Sequence, residues 1–352
     1  MINKQSIYYW FFFPLLALLS AGSMTSCIYD SVLEEEDTSG KSTLSITMRG
    51  ITTTDPGPSG SYDDYVQTLR VIGYDNTGTV VCNQKYSGEE FGTVEGTDPN
   101  TYIEITQTLE DAFQGGVCDF YFIANEDGYS VYNSQTTLSE YLNADPQKDA
   151  LDKCMIATPT DLAILGSSPI LMTTSVRSTL KPGDNTINNI ELVRCFAKVQ
   201  LKIIDKTGSA TVGENPVLTG KCLEFYSLWD GSTTENLTLS DDGVNINLEL
   251  KDETIEVDGQ NYPLHYSQEI YFPERLFDVE NNNEDNAMKF SFTLNNTTYE
   301  VEIADATGHD FNIRRNTHYT VTATLNSAPV DVTFNIEVIP WTEVEVDVPP
   351  FN

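Results

Sequence analysis

Apolar and polar residues alternate with a period of two along most of this chain, as they do in β-strands that bury one face. The alternation runs through residues 44–48, 69–73, 197–203, 244–250, 288–303, 332–338 and 344–348. A strand with one apolar face must bury that face against a second layer, so the pattern predicts an all-β fold built from β-sandwiches. The abundance of Tyr (18) and Phe (16) relative to Trp (3) agrees with this prediction.

Helix signals are few and lie together in the first half of the chain. Thr137 and Glu140 have the spacing of a capping box ahead of apolar residues. Asp145 and Pro146 have the pattern of an N-cap followed by the first helical residue. These signals predict a short helical insertion between strands. A new strand begins directly after Arg194, so we expect two abutting β-sandwich domains, residues 42–194 and 195–352, with the insertion in the first.

The chain is strongly acidic. Its 352 residues include 53 Asp and Glu but only 19 Lys and Arg, so the net charge is 19 − 53 = −34. Such a surface repels phosphate groups, which argues against nucleic acid as a partner and against electrostatic docking on anionic lipid.

Patterns typical of catalysis or of metal and cofactor binding are absent from the sequence. Only three His occur, and no two of them have the spacing of metal ligands. The chain lacks the motifs of phosphate loops, hydrolase elbows, zinc proteases, calcium loops and dinucleotide folds. Trp229 and Trp341 are interpreted as core or edge residues rather than as a sugar platform. We therefore expect no enzyme activity, no metal site and no cofactor.

The first 26 residues have the features of a secretory signal. Lys4 precedes an apolar run at residues 7–19 that is too short to be a permanent membrane helix, and small residues follow it. Residues 24–27 are Met-Thr-Ser-Cys, which resembles a bacterial lipobox with Met in place of the usual Leu. We predict a signal peptide at residues 1–26 and acylation of Cys27, which would hold the chain to outer-membrane lipid. The alternative is an ordinary signal followed by an unrelated Cys.

Residues 27–41 are predicted to form a flexible acidic tether, with four consecutive carboxylates at residues 34–37. Acidic residues soon after a lipidated Cys resemble surface-export signals, which would place the protein at the cell surface; a merely solvated tether is the alternative. Beyond Cys27 the chain has five Cys and no CxxC pair. An odd number excludes a full disulfide framework within one chain, so most are expected to be buried as small apolar residues.

Several segments together resemble the fimbrillin family, whose members are lipoprotein-derived pilus subunits. The segments are residues 120–125 (FYFIAN), 169–173 (PILMT), 190–194 (IELVR), 271–274 (YFPE), 313–319 (IRRNTHY) and 340–341 (PW). Each motif alone is weak, and their order along the chain carries the resemblance. The segment around residues 137–157 is where the match is poorest.

The resemblance implies two tandem transthyretin-like domains in a structural subunit of a fimbrium, at its shaft or tip, with a role in cell adhesion. In the family, an arginine-specific protease removes the tether together with the first strand, and a terminal strand of another subunit fills the vacated groove. Carried over to this chain, residues 42–48 are the removable strand, with Leu44, Ile46 and Met48 on its apolar face, and Arg49-Gly50 is the scissile bond. The donor is the segment of Val344, Val346 and Val348, or the preceding strand at residues 332–338.

Two alternatives stay open at this point. The chain could be an anchor subunit of the same fimbrium that keeps its lipid and its first strand. It could also be a glycan-binding surface lipoprotein that uses an exposed aromatic platform. Cleavage at Arg49 favours the polymerising subunit, whereas exposed coplanar aromatic residues beside a groove would favour glycan binding.

Overall fold

Backbone pairing in the computed structural model confirms the all-β architecture predicted from the alternation. The structure describes residues 42–49, 65–92, 102–110, 113–160, 168–213, 216–229, 239, 243–305, 307–327 and 331–340. Strands make up 59% and helices 6% of it. Among these residues, no helix has the length and apolar character needed to cross a membrane.

In the described part of the chain, nine strands precede the expected domain boundary. They are β1 (Thr43–Arg49), β2 (Thr68–Asp75), β3 (Val80–Ser87), β4 (Tyr102–Thr108), β5 (Gly116–Ala124), β6 (Met155–Ala157), β7 (Met172–Leu180), β8 (Asp184–Glu191) and β9 (Val193–Arg194). Two short helices, α1 (Leu138–Asn143) and α2 (Lys148–Leu151), lie between β5 and β6.

The remaining strands follow the boundary. They are β10 (Phe196–Asp205), β11 (Val217–Gly220), β12 (Phe225–Ser227), β13 (Val244–Asn247), β14 (Leu250–Val257), β15 (Gln260–Ser267), β16 (Ile270–Pro273), β17 (Met288–Leu294), β18 (Thr297–Ile303), β19 (Thr317–Ser327) and β20 (Asp331–Pro340).

The first sandwich has a three-stranded sheet, in the order β4-β1-β8, and a five-stranded sheet, in the order β3-β2-β5-β7-β9. Apolar residues from both sheets form one buried cluster, which we call the first core. It includes Leu44, Ile46, Leu69, Phe120 and Phe122. The strand period of two therefore delivers one face of each sheet to this core, as the sequence pattern requires.

The second sandwich has a sheet in the order β14-β15-β10-β19-β20, with β16 also paired to β10, and a four-stranded sheet in the order β13-β11-β17-β18. Its buried cluster also takes in Tyr74 and Tyr121 from the first part of the chain and Leu142 and Leu151 from the helical insertion. The core is thus continuous across Arg194. The division into two domains at that residue stays a prediction.

The helical insertion lies where the sequence places it, but α2 begins later than expected. Thr137 and Glu140 form the predicted capping box of α1. The N-cap of α2 is Gln147, not Asp145. Asp145 has a positive φ of 49° and accepts a hydrogen bond from the Asn83 amide at 2.8 Å. Its side chain therefore binds a residue of β3 instead of capping the helix.

One strand inferred from continuous alternation is broken in the structure, and a second break lies just before Arg194. The pattern at residues 244–250 divides into β13 and β14, which belong to different sheets. Likewise, β8 ends at Glu191 in one sheet of the first sandwich and β9 begins at Val193 in the other. Alternation cannot reveal these crossings, because the side-chain period continues while the backbone changes hydrogen-bonding partner.

An Asp-x-Thr-Gly turn occurs three times in this fold. Asp75 closes the turn between β2 and β3 by accepting hydrogen bonds from the backbone N–H groups of Thr77 and Thr79. Asp205 and Asp305 each accept from the Thr two residues later in the same way. In each turn the following Gly has a positive φ, between 65° and 83°. These hydrogen bonds lower the pKa of Asp75 and Asp305, the bond from the Thr hydroxyl first among them.

Candidate functional site

Strand β1, which the family resemblance implies is removable, is the middle strand of its sheet. Leu44, Ile46 and Met48 are 0% exposed and point into the first core. They pack in the same cluster as Ile105 of β4 and Ile187 of β8. Burial of a Leu- or Ile-sized side chain stabilises a fold by about 1.5–3 kcal/mol, so β1 contributes strongly to the first sandwich.

Both edges of β1 are paired. It runs antiparallel to β4 along its whole length, from Thr43 opposite Thr108 to Arg49 opposite Tyr102. It runs parallel to β8, with a register shift between Ile46 and Met48. Without β1, these two strands would face each other across an empty strand position, with two unpaired backbone edges and an open apolar core. We call this position the β1 slot.

The outward face of β1 is a row of hydroxyl groups that donate hydrogen bonds to its neighbours. Thr43 donates to Asp184 Oδ1 at 2.5 Å. Ser45 donates to Glu104 Oε1 at 3.1 Å. Thr47 donates to Asn188 Oδ1 at 3.1 Å. The rim of the slot on this face therefore presents oxygen acceptors, two of which are carboxylates.

The predicted processing residues lie at the end of this strand. Arg49 is the last residue of β1, and its backbone pairs with Glu191 of β8. Gly50, Cys27, Val344, Val346 and Val348 lie outside the described residues. The structure thus brings together the three predicted apolar residues of β1 and leaves the rest of the predicted site as a proposal.

Strand β20 is very different from β1. Among the described strands it pairs only with β19, at the edge of its sheet, and most of its residues are exposed. Val332, Ile336 and Val338 are half-buried, while Phe334 is 42% and Ile339 is 44% exposed. Phe334 contacts Phe292 and Tyr299 of the opposite sheet through its ring.

Motif residues far apart in the sequence converge beside Arg194. Arg315 forms an ion pair with Glu274 at 2.8 Å, and both side chains are buried. Arg315 also donates to the carbonyls of Ser227 at 2.7 Å and Leu228 at 3.3 Å. Asn316 accepts from Arg194 at 2.9 Å. The polar positions of three of the quoted motifs therefore fasten the strand junction, a structural role for buried and fully partnered charges.

Asn125, the last residue of the 120–125 motif, has a comparable structural role. Its left-handed backbone, with φ at 60°, is a conformation that Asn tolerates. Its side chain accepts from the N–H of Gln67 at 2.8 Å and donates to the carbonyls of Tyr65 and Ile170 at 2.8 Å each. One amide thus joins three segments at the end of the first core.

Two buried Arg were missed by sequence reasoning. Arg70 pairs with Glu126, both nearly inaccessible, at 2.7 Å. Burial acts to raise the pKa of Glu126, but the hydrogen bonds and charge of Arg70 outweigh it and hold that pKa below its ordinary value. Arg275 donates to the carbonyls of Lys221, Asn286 and Phe311, and burial lowers its pKa to about 10. The only sign of these two buried residues in the sequence is that each Arg lies within an apolar strand or directly after one.

Trp229 and the described thiols are held in the packed interior or at its edge. Trp229 is half-buried, packs edge-on against Tyr121 with centroids 5.0 Å apart, and donates to the Leu151 carbonyl at 2.6 Å. The prediction that it is a core or edge residue is confirmed; Trp341 lies outside the described residues. Cys82, Cys118, Cys154, Cys195 and Cys222 are all buried. Burial raises the pKa of Cys82 to about 12, so that thiol stays protonated.

Comparison with known proteins shows to which family the chain belongs. The model of the FimA major fimbrial subunit protein family matches residues 42–219, which begin at β1 and continue past the Arg194 junction. The chain belongs to the FimA family of major fimbrial subunit proteins. A search of curated proteins finds no match.

Solved structures show that this fimbrial subunit shares a fold with other fimbrial proteins. A tip fimbrial protein, Mfa3 from Porphyromonas gingivalis with a C-terminal truncation, has 16% identity and a TM-score of 0.55, over 86% of this chain and all of that one. A fimbrilin (fimA) from Porphyromonas gingivalis W83 has 11% identity and a TM-score of 0.50, over 86% and 98%. A fimbrial assembly protein from Parabacteroides distasonis has 12% identity and a TM-score of 0.50, over 86% and 100%.

Family membership confirms the resemblance and the predicted role as a fimbrial subunit. It implies assembly with other fimbrial subunits and a place in a cell-surface fimbrium. It also favours a structural rather than a catalytic role.

Proposed function

We propose that this fimbrial subunit is exported as an outer-membrane lipoprotein acylated at Cys27, and that it assembles by protease-triggered strand exchange. An arginine-specific protease cuts at Arg49-Gly50 and releases the tether together with β1. A donor strand from another subunit then fills the β1 slot. The observation that supports this proposal is the position of β1, a central strand whose apolar face is fully buried and whose last residue is Arg49.

Before cleavage, β1 keeps the first core closed, so the uncut subunit is expected to be a stable monomer. After cleavage, β1 is held only by non-covalent contacts and can be displaced. Loss of β1 leaves two unpaired strand edges, a state that favours pairing with another chain. A donor strand restores the backbone hydrogen bonds and supplies alternate apolar side chains to the core, which is β-augmentation. Donation is head-to-tail, so the contact does not close and a filament results.

Opening of the slot can be tested without knowing the donor. Protein carrying Cys27→Ser is treated with an arginine-specific protease and then mixed with a fluorescent peptide of residues 42–49. Cut wild-type protein should take up the peptide in exchange for its own β1, whereas uncut protein and Arg49→Ala should not. Arg177→Ala is the matched control, because Arg177 is 70% exposed on β7, away from the slot, and its loss should leave uptake unchanged. Uptake by Arg49→Ala would show that this bond does not open the slot.

The lipid anchor needs a separate test. Replacing Cys27 by Ser should abolish acylation and release the protein from the outer membrane. Unchanged membrane retention would contradict the lipoprotein proposal. An acylated subunit that keeps β1 within intact fimbriae would instead support the anchor alternative. For the glycan-binding alternative, the packing of Trp229 against Tyr121 argues against that residue as a sugar platform.

A further inference from the structure

The β1 slot has chemistry on its outer rim as well as in its apolar floor. In the intact protein Leu44, Ile46 and Met48 of β1 fill the floor. A strand with apolar side chains at alternate positions would fill it in the same way. The rim is more selective, because Glu104, Asp184 and Asn188 all accept hydrogen bonds from β1 through side-chain oxygens. The hydroxyls of β1 satisfy these acceptors.

The rim carries negative charge along both strands that border the slot. Glu104 lies on β4, and Asp184 and Glu191 lie at opposite ends of β8. The other residues that face the outward positions of β1 across these ladders include Thr106, Thr108 and Thr186. On the two ladders, no Lys or Arg pairs with a β1 residue. A donor strand therefore enters between carboxylates and uncharged hydroxyls.

The terminal segment of this chain carries carboxylates at alternate positions, where β1 carries hydroxyl groups. Val344, Val346 and Val348 alternate with Glu343, Glu345 and Asp347. A strand that turned the three Val toward the floor would turn all three carboxylates toward the rim, because successive side chains point to opposite faces. Ionised carboxylates accept hydrogen bonds and cannot donate them. Like charges directly opposite each other in a sheet are also destabilising.

We propose that the β1 slot selects donor strands whose outward side chains donate hydrogen bonds, and that the terminal segment of a second copy is a poor occupant. The partner that fits is a different subunit, with a donor strand that has apolar residues on one face and hydroxyl, amide or basic side chains on the other. By the same rule, the acidic segment of this chain fits a slot whose rim is neutral or basic. The inference rests on the proposed strand exchange and makes the fimbrium a heteropolymer at this subunit.

A peptide competition measures this selectivity. Protease-cut protein with labelled residues 42–49 bound is titrated with two competitors, residues 341–350 and the same peptide carrying Glu343→Thr, Glu345→Thr and Asp347→Thr. We expect the substituted peptide to bind about tenfold more tightly, as three relieved like-charge contacts predict. The difference should shrink in Glu104→Gln protein and at high salt, which screens exposed charges. Glu300→Gln, the same change at an exposed position of β18 in the other sandwich, should leave the difference intact.

The outcomes separate this inference from the proposal on which it rests. Equal affinities of the two competitors, with the labelled β1 peptide bound normally, overturn the selectivity and leave strand exchange standing. Tighter binding of the acidic peptide overturns the selectivity as well. Failure of the β1 peptide to enter cut protein overturns slot opening, and the selectivity with it.

Discussion

Strands β1 and β20 lie near opposite ends of the described chain, and their environments are opposite too. β1 is paired on both sides and its apolar face is inaccessible, whereas β20 is paired on one side and most of its residues are exposed. Removing β1 would take away fully buried side chains of a core, whereas removing β20 would take away apolar side chains that are only half-buried or exposed. Of these two strands, β1 is therefore the one that closes a core, whereas β20 lies at the edge of its sheet.

The largest expected difference between the two strands is in stability. Ile46→Ala in β1 should lower the free energy of unfolding by about 2–5 kcal/mol, because it leaves a cavity in a closed core. Ile336→Ala in half-buried β20 should cost about 1 kcal/mol. Urea denaturation of both variants checks this, with Thr47→Ala on the outer face of β1 as the control. Equal losses from the two Ile variants would remove the basis for treating β1 as the plug.

A second prediction concerns the polar interior behind the first core. Glu126→Gln should cost about 2 kcal/mol at neutral pH, because Arg70 loses a charged hydrogen-bond partner. A carboxyl group whose pKa is lower in the folded state stabilises the fold above its unfolded pKa, about 4.3 for Glu, and this contribution is lost as the pH falls through the folded value. The wild type should therefore lose more stability than Glu126→Gln between pH 5 and strongly acidic solution.

Denaturation midpoints across that pH range measure the difference. Asp127→Asn is the matched control, since Asp127 is the neighbouring residue and is 59% exposed. It should follow the wild type. If Glu126→Gln loses as much stability on acidification as the wild type does, the ion pair with Arg70 is not the source of the acid sensitivity.

The repeated turns provide a smaller test that compares the two sandwiches directly. Asp75→Ala and Asp305→Ala each remove side-chain acceptors that close the same type of turn. Each should cost about 1 kcal/mol in chemical denaturation, whichever sandwich carries it. A loss confined to one of them would show that the turns are not equivalent despite their common sequence.

The smallest effect is expected on the exposed face of β20. Ile339→Thr should change the free energy of unfolding by no more than about 0.5 kcal/mol, because Ile339 is 44% exposed on an edge strand. Thermal denaturation is sufficient to check it. A larger loss would mean that β20 is held more firmly than its exposure indicates.

Local pattern predicted much of this fold. Alternation located β1, β2, β10, β17 and β18, and the capping box located α1, because each signal depends on residues that are neighbours in the sequence. Sequence reasoning also identified Leu44, Ile46 and Met48 as the apolar face of the first strand, the one proposed to be removed.

The sequence could not reveal which strands pair with β1. Its parallel pairing with β8 joins residues about 140 positions apart, and no local period encodes such a contact. The acceptor rim arises from this pairing, because Glu104 and Asp184 come together only across β1. Arg275 was missed for the same reason, since its three carbonyl partners come from separate loops.

The most direct test of the central claim is N-terminal sequencing of this subunit from sheared surface filaments. Strand exchange after cleavage predicts a chain that starts at Gly50 and lacks β1. A filament subunit that starts at acylated Cys27 and retains Leu44, Ile46 and Met48 would contradict the account.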